Sequence, residues 1–306
     1  MLKPSPKKNI DGVLLLDKPI GITSNKALQI VKRLFNASKA GHTGSLDPLA
    51  TGMLPLCFGE ATKFSQMLLD ADKRYRVVAK LGITTTTGDA EGEVIESRQP
   101  PVISSTQLLP ILQNFRGAIE QVPPMYSALK HQGQPLYKLA RQGIHIERKA
   151  RLITIHDLEL EHFTPDSLTL TVHCSKGTYI RSLVEDIGTA LGCGAHISYL
   201  RRLTVAAYQE QQMLTLETLQ DLLQLDGIDR LLKCLLPAWS MLEAWPNIHL
   251  SETASQALRQ GKLVPLETPA TPGWTRLTAY NGEFLGIGEI LAEGTIKPRR
   301  LVRGAG

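Results

Sequence analysis

Residues 41–52 read GHTGSLDPLATG, and this stretch holds one acidic residue, Asp47, among three glycines and a proline. The glycines give the backbone conformational freedom, and Pro48 fixes φ and removes an N–H donor. Such a stretch can form a sharp loop that presents Asp47 near its middle. A carboxylate on a shaped loop is a candidate nucleophile or general base. The same composition also fits an ordinary turn beginning at Asp-Pro, so the rest of the chain must decide.

Apolar periodicity on both sides of this stretch predicts strands mixed with helices. Strands are predicted at 12–16, 75–83, 153–163, 168–174, 275–280 and 284–291. Helices are predicted after an N-cap at Ser24 and over 60–71, 104–115, 177–191, 214–236 and 251–260, with a kink or break at Pro110. The elements do not alternate as regular βαβ units, which favours an α+β fold over a doubly wound sheet. A domain boundary is expected near residue 246.

The composition excludes several function classes. A chain of 306 residues with 42% hydrophobic and 21% charged residues can form a packed core. We find no nucleotide-binding glycine motif after a strand and no cysteine or histidine spacing typical of zinc, so no cofactor or metal is expected. Four cysteines without a C-x-x-C pair favour a reducing cytoplasm. The apolar run 13–16 is too short for a signal-peptide core or a membrane span.

Basic residues gather in three places, although the net charge is only +5. Residues 130–151 contain six lysines and arginines but one acid, with Tyr137 interleaved. Residues 73–76 place three cations around Tyr75, and residues 297–303 carry four more. Cations beside aromatic rings suit a nucleic-acid backbone and an unstacked base. Any one cluster also fits a solvated surface, but the three together favour RNA or DNA as a partner.

Six stretches, in order along the chain, resemble the motifs of the TruB family of bacterial tRNA pseudouridine synthases. They are residues 12–24 (GVLLLDKPIGITS), 41–48 (GHTGSLDP), 73–77 (KRYRV), 121–130 (QVPPMYSALK), 176–183 (KGTYIRSL) and 200–203 (LRRL). The tail, 284–301, is similar to the PUA-like RNA-binding domain of bacterial members. The resemblance implies a pseudouridine synthase catalytic fold in residues 1–246, with a central mixed, mainly antiparallel sheet flanked by helices. It implies a small PUA-like β domain in residues 247–306.

The resemblance also implies the reaction. A uridine, number 55 in the T loop of tRNA, is flipped out of its stack, and its uracil is detached, rotated and rejoined to the ribose through carbon. Asp47 is implied to be the nucleophile, attacking either the uracil ring or the ribose C1′. Arg181 is implied to be its cationic partner, and Lys18 and Pro19 are implied to shape the floor of the site.

The remaining implied contacts are with the RNA. His42 would fill the space vacated in the RNA loop, Tyr75 would stack on the target base, and Tyr179 and Leu200 would line the pocket. The basic segment from about 124 to 152 would clamp the T arm. Its implied RNA-binding residues are Lys130, Lys138, Arg141 and Arg148.

The expected partner is tRNA, bound through its T arm by a monomer in the cytoplasm. No metal, cofactor, membrane, obligatory protein partner or guide RNA is expected. One alternative is an RNA chaperone that flips and refolds the T arm, with isomerisation secondary. Another is an archaeal or eukaryotic relative that works with a guide RNA. The intact Asp47 favours the enzyme over the chaperone, and the full basic segment favours the stand-alone bacterial type.

Overall fold

The computed structural model describes residues 6–266 and 268–303. The strands are β1 (Gly12–Lys18), β2 (Ala40–His42), β3 (Thr51–Phe58), β4 (Lys73–Leu81), β5 (Ile83–Thr85), β6 (Val94–Ser97), β7 (Gly117–Gln121), β8 (Lys130–His131), β9 (Gln134–Pro135), β10 (Arg151–Thr164), β11 (Ser167–Cys174), β12 (Ala195–Val205), β13 (Leu214–Thr215), β14 (Asn247–Leu250), β15 (Val264–Pro265), β16 (Gly273–Ala279), β17 (Phe284–Ile290) and β18 (Thr295–Leu301). The helices are α1 (Ser24–Leu34), α2 (Ser65–Asp70), α3 (Ser105–Gln113), α4 (Leu136–Ala140), α5 (Ile180–Ala190), α6 (Leu216–Leu232) and α7 (Glu252–Arg259), with short 3-10 helices at Gly59–Phe64, Glu210–Gln212 and Ala238–Leu242.

A nine-stranded sheet organises the larger part of the chain. Its order is β13-β1-β3-β12-β4-β11-β10-β7, with β2 beside β3. Only the β1–β13 and β3–β12 pairs are parallel; the other neighbours in this sheet are antiparallel. This mixed, mainly antiparallel sheet with flanking helices confirms the α+β fold class.

The sheet is buried on both faces near β1 but on only one face near β10 and β11. Along β1, Leu14 and Leu16 join the main core with α1 and α5, while Val13 and Leu15 join a second cluster on the opposite face. Burial on both faces explains why β1 reads as an uninterrupted apolar run. Strands β10 and β11 alternate instead, because one of their faces is open to solvent.

A second sheet of five strands, ordered β14-β16-β17-β18-β15, forms the C-terminal part. It buries its own apolar cluster against α7, including Leu258 and Leu277. Its other face meets the larger part, where the Phe284 ring lies 5.4 Å from that of Phe64. The predicted hairpin between β16 and β17 is confirmed.

Several predicted elements need correction. The N-cap of α1 is Thr23, whose hydroxyl accepts from the backbone N–H of Lys26, whereas Ser24 is the first helical residue. The helix predicted over 60–71 is a 3-10 turn followed by α2. Helix α5 begins at residue 180, three residues later than predicted. Helix α3 is not broken at Pro110, because this helix face is exposed and water can solvate the carbonyl that the proline leaves without a donor.

Two central strands were not predicted from the sequence. Strands β3 and β12 lie side by side in the middle of the sheet. Strands β2 and β3 also shorten the predicted 41–52 loop to residues 43–50, and Gly41 lies in a strand without a positive φ. Within the described ranges 6–266 and 268–303, no helix is long and apolar enough to cross a membrane.

Candidate active site

Four neighbouring strands bring four residues into one row at the centre of the sheet. Lys18 on β1 is paired in register with Gly52 on β3, Gly52 with Arg202 on β12, and Arg202 with Tyr75 on β4. A Cβ atom at Gly52 would lie 2.2 Å from the carbonyl oxygen of Arg202, and φ there is +95°, so this crossing requires glycine. The fold thus gathers residues that are far apart in the chain.

The 43–50 loop is held against this row by hydrogen bonds on both sides of Asp47. The Ser24 hydroxyl accepts from the Leu46 N–H at 2.7 Å and donates to the Leu46 carbonyl at 3.0 Å. On the other side, the Pro48 carbonyl accepts from the Gly21 N–H at 2.8 Å. These contacts fix the backbone on each side of the carboxylate, which is the placement a nucleophile needs.

Lys18 connects the row to the same loop. Its side chain is fully buried, and its Nζ donates to the carbonyls of Pro19 and Ile22 at 2.8 Å and of Pro48 at 3.4 Å. Burial lowers the pKa of the ammonium from 10.5 to about 8, and the Asp47 carboxylate opposes this shift. Pro19 itself is exposed and contributes its carbonyl. Lys18 therefore links the end of β1 to the backbone of the 43–50 loop, and its role with Pro19 in shaping the floor of the site stays a prediction.

Arg181 reaches Asp47 from the first turn of α5. Its Nη2 lies 3.0 Å from Oδ2 of Asp47, and its Nε lies 4.0 Å from Oδ2 of Asp89. The guanidinium also donates to the carbonyls of Thr87 at 3.0 Å and Tyr126 at 2.6 Å. The arginine is thus held by two loops as well as by two carboxylates.

Opposing effects act on the Asp47 carboxyl. Burial raises its pKa above 3.8, and the negative charge of Asp89 adds to this rise. The charges of Arg181 and Lys18 and the hydrogen bond from Arg181 lower it. The two cations therefore favour the ionised form, which is the form that can act as a nucleophile.

Three further residues were implied to contact the base. Tyr75 is the register partner of Arg202, and burial raises the pKa of its phenol. The Gln121 side chain holds the backbone of Tyr179: it accepts from the Tyr179 N–H at 2.8 Å and donates to the Tyr179 carbonyl at 3.1 Å. Burial raises the pKa of both phenols, and the Asp47 charge adds to this rise. Leu200 is 7% exposed on β12, two residues before Arg202.

His42 enters the site at the end of β2, next to the loop. Its Nδ1 atom is buried and finds no hydrogen-bond partner among the described residues. Burial, with a smaller effect from the Arg202 charge, lowers the pKa of the imidazole below 6.5. The ring is therefore neutral at pH 7, and Nδ1 is available to a ligand.

Arg202 lies in the LRRL stretch, and no role was predicted for it, yet it belongs to the row of residues that faces the loop. It is 1% exposed, and it donates from Nε to the Met53 carbonyl at 2.6 Å and from Nη2 to the Gly44 carbonyl at 3.1 Å. No carboxylate pairs with it in the part of the chain that the structure describes. Asp89 was also missed, because a carboxylate in a polar loop carries no distinguishing signal.

The basic segment 124–152 forms a small unit with its own apolar cluster. Met125, Leu136 and Leu139 are buried together around the β8–β9 hairpin and α4. The segment is tied to the site at its base, where the Tyr126 carbonyl meets Arg181. Of the four cations assigned to RNA binding, three are exposed and Arg148 is not.

Arg148 differs from the other three cations in being half-buried. Its Nε is buried and finds no hydrogen-bond partner among the described residues. Burial raises the pKa of Glu185 on α5, and the Arg148 charge opposes this rise. The exposed cations of the segment are Lys130, Lys138, Arg141, Lys149 and Arg151.

The charges of the cluster at 73–76 are largely compensated or buried. The buried Lys73 ammonium donates to three carbonyls around the end of α2. Arg74 pairs with Asp157 at 3.6 Å, and Arg76 pairs with Glu161, across the open face of the sheet. Because strand residues alternate between faces, these arginines point away from Tyr75. Pattern alone could not show that their charges are compensated.

Family models cover most of the chain. Residues 32–180 match the model described as TruB family pseudouridylate synthase (N terminal domain). Residues 181–243 match the tRNA pseudouridylate synthase B C-terminal domain, and residues 246–302 match Pseudouridine synthase II TruB, C-terminal.

Individual proteins agree with these models. A protein of Coxiella burnetii named tRNA pseudouridine synthase B is 55% identical over 300 residues, covering 97% of this chain and 96% of that protein. The protein of the same name from Tolumonas auensis is 54% identical over 303 residues, covering 97% and 93%. A chain in a crystal structure of a Cbf5–Nop10–Gar1 complex superposes with a TM-score of 0.74 at 26% identity, covering 95% of this chain and 84% of that one.

Proposed function

Because this chain belongs to the TruB family of pseudouridine synthases, we propose that it isomerises uridine 55 in the T loop of tRNA. Membership makes the chain an isomerase that forms pseudouridine in tRNA. The position of the uridine and the roles of the residues are our inference. The observation that carries it is the contact between Asp47 and Arg181, with Tyr75 in the same row of strands as Lys18 and Tyr179 at the N-cap of the helix that carries Arg181.

In the proposed reaction, the ionised Asp47 attacks the flipped nucleotide, at the uracil ring or at ribose C1′. The bond between C1′ and N1 breaks, the uracil turns, and a bond between C1′ and C5 forms. The C5 proton is lost, N1 gains a proton, and the carboxylate is released. Substrate and product are isomers, so atoms and electrons balance without a co-reactant. Both points of attack require the same ionised carboxylate, which Arg181 and Lys18 favour.

Three side chains would receive the flipped base. The Tyr75 ring would stack on uracil, with Leu200 on its apolar side and Tyr179 at the wall. A base–aromatic stack contributes about 1–3 kcal/mol, which offsets the few kcal/mol that flipping costs. His42 would fill the gap left in the RNA loop. Its neutral imidazole suits this role, since it enters a base stack without a charge to desolvate.

RNA outside the pocket would contact the basic segment 124–152. Lys130, Lys138 and Arg141 project from this segment into solvent, and exposed cations of this kind bind phosphates. We assign Arg148 a smaller share, since its side chain is half-buried. We also propose the division into a catalytic unit, 1–246, and an RNA-binding unit, 247–306; two sheets with separate apolar clusters support this division.

We propose that the chain acts as a monomer, without a guide RNA or a protein partner. Relatives that share more than half of their residues with it along 97% of its length support this view. The Nop10 and Gar1 partners belong to a structural neighbour that is only 26% identical.

The test uses the purified full-length chain and an unmodified tRNA transcript with tritium at C5 of uridine. Pseudouridine formation releases this tritium, and the position is then mapped in the RNA. We expect one equivalent of release and a product only at position 55, and a transcript with cytidine 55 should release none. Tight binding without tritium release would favour the T-arm chaperone. Release that requires an added RNA or protein would favour the guide-dependent alternative.

A further inference from the structure

All three tryptophans of the chain lie at one surface, where the C-terminal sheet meets the 3-10 helix Ala238–Leu242. The Trp245 and Trp274 ring centroids are 5.9 Å apart. Trp239 is 39% exposed and Trp274 is 49% exposed. Tryptophan is among the most buried residues on average, so two exposed indoles at one surface require a reason.

An arginine lies over each of these exposed rings. The Arg276 Cζ is 5.6 Å from the Trp239 centroid, and the Arg299 Cζ is 5.9 Å from the Trp274 centroid. Trp274 and Arg276 are two residues apart on β16 and therefore share one face of the sheet. Contact between an indole and a guanidinium leaves the second face of the ring open for another planar group.

Charge on this face is only partly compensated. Trp274, Glu289 and Lys297 are register partners on three adjacent strands, so their side chains share a face. Glu289 pairs with Arg299. Among the described residues, no carboxylate pairs with Arg276 or Lys297, and the buried Nε of Arg276 has no hydrogen-bond partner. Two free cations thus flank two exposed indoles.

We propose that this tryptophan surface, formed by Trp239, Trp274, Arg276, Lys297 and Arg299, binds unpaired nucleotides of the substrate RNA outside the T loop. Bases would stack on the open indole faces, and phosphates would contact Arg276 and Lys297. Sequence-independent binding of single-stranded RNA uses this combination of aromatic faces and cations. A duplex offers phosphates but no free base faces. The proposal rests on the proposed function only in taking tRNA as the RNA.

Tryptophan fluorescence reports directly on this surface, because the chain has no tryptophan elsewhere. The probe is an unstructured RNA hexamer, and the comparison is a duplex of the same length at the same salt concentration. We expect saturable quenching by the hexamer and little by the duplex. Trp274→Leu and Trp239→Leu should each weaken hexamer binding by about tenfold. The matched control is Tyr280→Leu, since Tyr280 is 64% exposed on the same domain but lies outside the surface.

Kinetics then separate this surface from the catalytic site. With full-length tRNA, Trp274→Leu should raise KM several-fold and leave kcat unchanged, whereas KM for an isolated T-arm hairpin should not change. A tRNA that lacks its unpaired 3′ end shows which nucleotides bind. If Trp274→Leu no longer raises KM for this shortened tRNA, the bound nucleotides are those of the 3′ end. If the rise in KM persists, they lie in another loop. Either result supports the proposal.

Two outcomes would overturn it: no quenching by the hexamer, or an equal effect of Trp274→Leu on full-length tRNA and on the hairpin. Turnover of the hairpin by the unsubstituted chain tests the proposed function separately, so the two failures can be distinguished.

Discussion

Arg181 and Asp47 are joined at 3.0 Å, yet the arginine side chain is 7% exposed and the aspartate side chain 42%. The arginine also donates to two backbone carbonyls and would keep these bonds if Asp47 turned towards a substrate. The pair thus combines a fixed cation with an accessible anion. This arrangement explains how a carboxylate can stay ionised and still reach a nucleotide.

Replacing Arg181 tests whether this cation keeps Asp47 ionised and oriented. Arg181→Met should lower the single-turnover rate at least about a hundredfold, since the carboxylate loses its orientation. Without the cation the pKa of Asp47 rises further, so the acid limb of the pH–rate profile should move to higher pH. The measurement is the single-turnover rate between pH 5 and pH 9.

Stability must be followed in the same variant. Loss of a partner from a buried pair costs about 3–5 kcal/mol, and the exposure of Asp47 favours the lower end. The control is Arg76→Met, which removes a cation paired on the open face of the sheet and should change neither the rate nor the acid limb. An unshifted acid limb in Arg181→Met would show that Arg181 does not control Asp47.

The loop is tested at Ser24. Ser24→Ala removes both hydrogen bonds to Leu46, which should cost about 1–3 kcal/mol of unfolding free energy. It should also reduce kcat more than it changes KM, because Asp47 is next to Leu46 and misplacement affects the chemical step. Thermal unfolding and steady-state kinetics measure the two effects. Thr23→Ala is the control: it removes the cap of the same helix, and kcat should not change.

Arg202 is tested through its neighbour His42. Because the Arg202 charge lowers the pKa of the imidazole, Arg202→Met should raise that pKa towards 6.5, as measured by NMR titration. The variant should also lose at least about tenfold in kcat, since the Met53 and Gly44 carbonyls lose their donor. An unchanged His42 pKa in a folded variant would mean that Arg202 does not act on the site in this way.

The clamp makes a salt-dependent prediction. Replacing Lys130, Lys138 and Arg141 together with alanine should weaken tRNA binding and reduce the slope of log Kd against log salt by up to about two. Replacing Arg74 and Arg76 with glutamine is the control, because ion pairs already compensate these charges. The hypothesis fails if the two sets of variants bind tRNA with the same salt slope.

The local sequence pattern was sufficient to predict those elements whose structure depends on one buried face or on one turn. The alternation of β10 and β11, the apolar run of β1 and the Asn281-Gly282 hairpin were all readable, because periodicity and turn chemistry act over a few residues. The α+β class followed from the order of these elements. The nomination of Asp47 came from its loop composition and from family motifs.

The spatial arrangement of the site could be seen only in the folded structure. Lys18, Gly52, Tyr75 and Arg202 become neighbours only through strand register, which no local window contains. Ion pairs between strands also cannot be recognised from the sequence. The cations at 73–76 were therefore interpreted as suited to RNA, although Arg74 and Arg76 are paired with carboxylates and Lys73 is buried. The N-cap of α1 is Thr23, while Ser24 holds the 43–50 loop, a role set by tertiary contact rather than by capping propensity.

The central claim is that Asp47 is the nucleophile, and Asp47→Asn tests it most directly. The amide retains the size of the side chain and removes its charge. The assay measures tritium release from C5-labelled tRNA under single-turnover conditions, with tRNA affinity determined in parallel. We predict no release above background and an affinity within about threefold of the unsubstituted chain, since phosphate contacts elsewhere supply most of the binding. Substantial turnover by this variant would contradict the account.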